Sequence, residues 1–243
     1  MSLILIVLIA LFGALVRTIF GFGEALVTMP LLALVGFDIQ TGTALIGALG
    51  LLVALPATIR FRAQIDFTVV RRLVLGSLLG VPIGISLIKL VARGIVLHLL
   101  GVFLLVYGSY SLYKSLRQHL GKPRLQANSW DYLAGMVSGA LGSAYNSHGV
   151  PVVIYGTLKR WPVNQLRGIL QAHFVCVGII VVLSQAFSGF WSMQVVELLL
   201  IIIPLLFVVI PFGNWISDHI ARATLVKYIY VLLIVFGGLL VLQ

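Results

Sequence analysis

Few side chains in this sequence can do chemistry, and most of those lie inside apolar runs. Arg17, Glu24, His148, Arg167, Gln171 and His173 all fall within long hydrophobic stretches. A charge at the centre of a bilayer costs about 2.5–3.5 kcal/mol on insertion scales, so such residues point to a site. Arg167, in QLRGILQAHF, is the best anion ligand. A planar guanidinium holds carboxylate, sulfonate or phosphate oxygens through paired hydrogen bonds. The plainer alternative is an arginine that snorkels from near the cytoplasmic end of its helix. Gln171 stands four residues on and shares the Arg167 face. His173 is two residues from Gln171 and faces elsewhere. Arg17 stands one turn before GFGE at 21–24. It could be a second anion ligand or the structural partner of Glu24. Glu24 could carry a proton, or cap the half-helix it begins. His148 could shuttle protons, or serve only as a local donor. Ser143, Tyr145, Asn146 and Ser147 supply neutral donors for a polar ligand or for interrupted backbone.

Two broken segments must position these residues. GFGE at 21–24 and GSAYNSHG at 142–149 each interrupt an apolar run near its middle. Free backbone N–H and C=O groups are tolerated at membrane depth only inside protein or along a wet cavity. Half-helix N-termini carry positive partial charge that favours an anion. Gly21 and Gly23, with the exposed backbone around them, therefore join the candidate binding residues. The plainer reading of such glycines is close helix packing.

Composition makes the membrane setting necessary. Of 243 residues, 61% are hydrophobic and 9% charged, and mean hydropathy is +1.16. Soluble domains are near one quarter charged. These values argue against a soluble enzyme, a secreted domain and a nucleic-acid binder. The net charge of +10 fits Lys and Arg retained in cytoplasmic loops. The single cysteine, Cys176, allows no intrachain disulfide and no metal framework. The N-terminal run MSLILIVLIALFGALV has no charged n-region, and we expect a retained membrane segment.

Eight apolar stretches lie near 3–36, 41–59, 73–91, 94–113, 130–158, 164–186, 193–216 and 223–242. The longest polar stretch, about 114–131, sits at the midpoint and suggests a duplication. Gly21 and Gly142, like Pro30 and Pro151, are 121 residues apart. Pro82 and Pro211, Gly84 and Gly213, Arg93 and Arg222, and Gly108 and Gly237 are each 129 apart, which implies an eight-residue insertion in the second half. We expect an all-α integral membrane protein of two repeats, 1–120 and 121–243, with four hydrophobic segments each. If all eight segments cross, Lys and Arg divide 8 against 6 between the two sides; if the first segment of each repeat is re-entrant, they divide 12 inside against 2 outside. The positive-inside rule favours the second arrangement, which inverts one repeat relative to the other. Inverted repeats with discontinuous helices commonly bind substrate near the midplane.

Other features read as structural. Gly76, Gly80 and Gly84 form a small-residue ridge, and Gly135 and Gly139 could form another. That ridge could pack within one subunit or between two copies, so a homodimer is possible. Trp130, Trp161, Trp191 and Trp215 lie near segment ends, as in an interfacial belt. No GxxxxGK[ST], HExxH or GxSxG occurs, so an ATP-driven pump or membrane hydrolase gains no support. No cofactor is expected.

The runs GFGEALVTMPLLAL at 21–34 and GSAYNSHGVPVVIYGTLKRW at 142–161 resemble the two signatures of the TauE/SafE sulfite-exporter family. The resemblance extends over nearly the whole chain. The matching positions are Gly21, Gly23, Pro30, Asn146, Gly149, Pro151, Trp161 and Arg167. The resemblance implies a secondary transporter of small anions, of the class of sulfite, thiosulfate, organosulfonates or other organic acids, driven by an ion or proton gradient. On that expectation Arg167 holds the anion, helped by Gln171, Asn146, Tyr145 and the exposed backbone of both breaks. Glu24 or His148 couples transport to protons in the cytoplasmic membrane. The competing expectations are a passive anion channel and a non-transporting receptor or assembly subunit.

Overall fold

A computed structural model describes residues 3–116, 127–219 and 222–242. The described residues form ten α-helices, one 3-10 turn and no strand. The first half contains α1 (Leu3–Phe20), α2 (Glu24–Leu34), α3 (Ile39–Arg60), α4 (Phe67–Leu90) and α5 (Arg93–Leu116). The second contains α6 (Ser129–Tyr145), α7 (Gly149–Lys159), α8 (Val163–Phe187), α9 (Met193–His219) and α10 (Arg222–Val241). The chain is thus an all-helical, multi-pass membrane protein. Among the described residues, six helices, α1, α3, α4, α5, α8 and α9, are long and apolar enough to cross a bilayer. Their outer faces expose Leu79, Ile83, Phe207 and Val208. Water would not tolerate such a surface, whereas lipid accepts it.

Ten helices arise from eight apolar stretches because the first and fifth stretches each split. After α1 the chain turns through Gly21 and Gly23, at φ +84° and +96°. Only glycine enters that left-handed region without steric cost. Asn146 ends α6 at φ +52°, the other residue type that tolerates it. The second break is shorter than the sequence suggested. It covers residues 146–148, and Gly142, Ser143 and Tyr145 belong to α6. The helices before the breaks are 18 and 17 residues long, so neither is the half-bilayer piece that a break near the middle of its run suggested. The helices after them are 11 residues each, about 16 Å at helical rise. Local caps start the long helices. Asp38 accepts from the Thr41 amide at 2.8 Å to begin α3, and Asp66 accepts from Thr68 and Val69 to begin α4.

Packing crosses between the halves. The pairs α4 with α6, α1 with α9, α3 with α8, and α5 with α10 all touch. The α4–α6 seam is built from glycine on both sides. A Cβ added at Gly76, Gly80 or Gly84 would lie 1.9–2.1 Å from a carbonyl oxygen of α6, and one at Gly135 or Gly139 would lie 2.1–2.3 Å from a carbonyl of α4. The two small-residue ridges therefore pack against each other within one chain. Ser77 donates to the Gly135 carbonyl at 2.8 Å across the same seam. The polar midpoint is described only outside 117–126, so the loop charges Arg117, Lys122 and Arg124 lie outside the described residues. The same holds for the side chains of Arg222 and Lys227.

Candidate functional site

The two breaks lie against α3 and α8. A carbonyl freed at a break needs a donor from elsewhere, and α8 supplies one at each. Gln171 donates to the Gly21 carbonyl at 2.8 Å, and Gln185 donates to the Ser143 carbonyl at 3.4 Å. Asn146 donates to the Thr43 carbonyl of α3, and Ser217 of α9 donates to Ile19 at 3.1 Å. On α3, glycines leave the room these side chains occupy. A Cβ at Gly47 would lie 2.8 Å from Gln185 and 3.0 Å from Asn146; one at Gly50 would lie 3.1 Å from both Arg17 and Glu24.

Arg17 and Glu24 flank the first break and form a buried ion pair of 3.3 Å between Nη1 and Oε2, with 5% and 2% exposure. The guanidinium also lies over the Phe174 ring, 4.3 Å from its centroid, a favourable cation–π contact. Its Nε and Nη2, and Glu24 Oε1, have no hydrogen-bond partner. Buried donors of this kind ordinarily find acceptors, so the pair is under-satisfied.

A cavity of about 100 Å³ opens beside it. Its wall includes Arg17, Gly21, Arg60, Arg167, Gln171 and Asn214. Three guanidinium-bearing side chains thus border one space between apolar helices. Arg167 lies 5.8 Å from the Phe61 ring centroid and pairs with no carboxylate among the described residues. Arg60 is half exposed and reaches Asp218 at 3.4 Å and Asn214 at 3.3 Å, tying α3 to α9 at the rim. A second, smaller cavity of about 10 Å³ touches Arg17, Gly23, Glu24, Asn146 and Phe174. Arg17 borders both.

The structure therefore brings together Arg17, Gly21, Arg167 and Gln171 at one cavity, and Gly23, Glu24 and Asn146 at its neighbour. It does not bring Ser143 or Tyr145 to either. Ser143 donates to the Val81 carbonyl at 2.9 Å, and Tyr145 donates to the Val96 carbonyl at 3.0 Å. Both hydroxyls fasten α6 to its neighbours. His148 is buried, with its ring edge-on to Phe174 at 4.7 Å. Its carbonyl accepts from Ser138 at 2.6 Å, and Ser138 lies 2.8 Å from His173 Nε2. Ser138 has one proton, already given to His148, so His173 Nε2–H must be the donor in the second bond. His173 is thus a structural histidine that braces the second break.

Sequence reasoning missed Arg60, Phe61 and Asn214, which the structure adds to the cavity wall. Arg60 follows directly on the 41–59 apolar stretch, where sequence alone reads it as a loop charge. Asn214, an amide near the end of the apolar α9 run, was the available signal. It also missed Asp131. This fully buried carboxylate accepts from Arg72 and Lys159 at 3.1 Å each and from the Tyr155 hydroxyl. It joins α4, α6 and α7 away from both cavities.

Comparison with known proteins agrees with this architecture. Neither a curated protein nor a solved structure matches the chain. The family model described as sulfite exporter TauE/SafE matches residues 6–240, almost the full length. That family is one of membrane transporters for sulfite and related anions. With an all-helical membrane body and a basic cavity beside the first break, the chain belongs to the TauE/SafE sulfite exporter family.

Proposed function

We propose that the protein is a secondary transporter of a small anion: a sulfur oxyanion, an organosulfonate or a small organic acid. The observation that carries this reading is the convergence of Arg17, Arg60 and Arg167 with Gln171 on one cavity among lipid-facing helices. An arginine cluster recognises oxyanions by charge and by paired donors. A space of about 100 Å³ suits a small ion; drug-sized ligands occupy roughly 300–1,000 Å³. Arg167 is the principal ligand, because its charge meets no carboxylate among the described residues. Gln171 orients the anion and holds the first break. Coupling is to protons or another ion.

The two halves, 1–120 and 121–243, act as inverted repeats in the cytoplasmic membrane. The reciprocal packing of α4 on α6 and α1 on α9 supports the repeat, and the 12-to-2 division of Lys and Arg supports the inversion. In that orientation Arg60 ends α3, Arg167 lies in the first turns of α8 and Asn214 lies in the last turns of α9, all on the cytoplasmic side. The cavity then opens inward, as an exporter loading its substrate would require. Motion of one repeat against the other would open the opposite side. The bilayer and the small anion are the partners this reading needs; a homodimer is compatible with it.

The test is thermal unfolding of the purified protein with sulfite, thiosulfate, sulfate, small sulfonates and small carboxylates at fixed ionic strength. A ligand that binds the native state raises Tm with concentration. One anion class should do so, and Arg167→Ala should weaken it about 10- to 100-fold, the loss expected for a charged hydrogen-bond pair of about 1.5–3 kcal/mol. Anion-independent melting, or an unchanged shift in Arg167→Ala, would refute the assigned role. Flux in vesicles separates the rivals: a channel carries anion without uphill accumulation, and a receptor carries none.

A further inference from the structure

Arg17 is the hinge between the two cavities, and its charge is already partly used. Nη1 holds Glu24, while Nε and Nη2 remain unpartnered although the side chain is 5% exposed. The Glu24 carboxylate is in the same condition, with Oε2 engaged and Oε1 not. Gly50 clears space against both groups at once. The Phe174 face supports the guanidinium from the α8 side. An arginine built only as a structural anchor would be expected to spend its remaining donors on carbonyls. This one keeps them beside a cavity wall.

The charge balance decides what an arriving anion would do. With Glu24 ionised, the pair is neutral. An anion that reached Arg17 would lie beside the Glu24 carboxylate, a like-charge contact that is unfavourable in a desolvated site. If Glu24 takes a proton, that repulsion is removed and the Arg17 guanidinium is released to the anion, with Arg167 on the same cavity. Among the described residues the other fully buried carboxylate is Asp131 of α6, which lies away from both cavities and is held by Arg72 and Lys159. Gly50 of α3 and Phe174 of α8 bring no charge. Gln171 of α8 and Asn214 and Ser217 of α9 are neutral. His148 of the second break and His173 of α8 can only add positive charge. Arg167 and Arg60 face the larger cavity, and Arg60 is matched by Asp218 at the rim.

We propose that Arg17 is shared between Glu24 and the transported anion, so that each anion bound is accompanied by one proton taken from water by the Glu24 carboxylate. This rests on the anion-transport reading and assigns its coupling group. Neutral substrates have no means of releasing Arg17.

The experiment measures proton uptake on binding, with a pH indicator in weakly buffered detergent solution. The probes are thiosulfate, ethanesulfonate and lactate, whose own charges stay fixed near neutral pH. The wild-type protein should take up about one proton per anion, and its affinity should fall about tenfold per pH unit once Glu24 is ionised. Glu24→Gln should take up none and bind with an affinity independent of pH. Vesicles carrying it should lose the dependence of anion flux on a proton gradient. Binding by the wild type without proton uptake overturns this inference and leaves the transport reading standing. Absence of binding by any probe overturns both. Should Glu24→Gln fail to fold, the wild-type uptake measurement still decides.

Discussion

Gly80→Ala places one methyl group in the α4–α6 seam, where its Cβ would fall 1.9 Å from the Met136 carbonyl oxygen and 2.7 Å from the Ala140 nitrogen. Real Cβ atoms essentially never come within 3.0 Å of such a neighbour. Both obstacles are backbone, so no rotamer change relieves the clash. The helices must part by the difference between 3.0 and 1.9 Å, at least 1.1 Å. A radial gap of about 0.5–1 Å already forfeits a quarter to a half of each dispersion contact, each worth roughly 0.1–0.2 kcal/mol. Over a seam of a few tens of atom pairs this comes to about 1–3 kcal/mol. The bonds from Ser77 to Gly135 and from Ser143 to Val81, now 2.8 and 2.9 Å, would stretch beyond bonding distance. Interhelical bonds in membranes average about 0.6 kcal/mol each. The sum is about 2–4 kcal/mol. Equilibrium unfolding in mixed detergent micelles measures it. Gly238→Ala is the matched control, since nothing lies within 4 Å of its added Cβ. Because α6 ends at Asn146, the shift should also weaken anion-induced stabilisation. A Gly80→Ala protein that unfolds together with the wild type would refute the rigid-seam argument.

Asp131→Asn leaves Arg72 and Lys159 facing each other around a neutral amide. It should cost about 3–5 kcal/mol, against less than about 1 kcal/mol for Asp218→Asn, whose partner Arg60 is half exposed; paired unfolding curves compare them. Tyr145→Phe removes only the hydrogen bond to Val96. It should lower stability by about 0.5–1.5 kcal/mol while the anion-induced Tm shift keeps its concentration dependence, and a weakened shift would return Tyr145 to the binding site. Gly50→Ala presses on Arg17 and Glu24 together, each 3.1 Å from the new Cβ. Anion affinity should therefore change in its pH dependence, whereas Gly178→Ala on α8, with an ordinary 3.5 Å contact, should leave it unaltered.

The class of protein, the number of apolar stretches and the two breaks were legible in the residues alone. Bilayer insertion depends on summed hydropathy, a property of composition. Gly21, Gly23 and Asn146 mark the breaks because backbone conformation is a local choice. Arg17, Glu24, Arg167 and Gln171 stood out because a charge or amide in an apolar run is anomalous wherever the chain folds. The pairing of α4 with α6 was not legible. Both ridges were visible, but a small-residue ridge does not name its partner, and the approach of glycine to carbonyl is made between helices tens of residues apart. Tyr145 and Ser143 looked like ligand donors, and the fold gave their hydroxyls to carbonyls of α5 and α4. Arg60 looked like a loop charge, and the ends of α3, α8 and α9 meet so that it borders the cavity with Arg167. Sequence periodicity fixes which residues share one helix face. Which faces meet depends on packing distances between helices, and only the tertiary structure sets those.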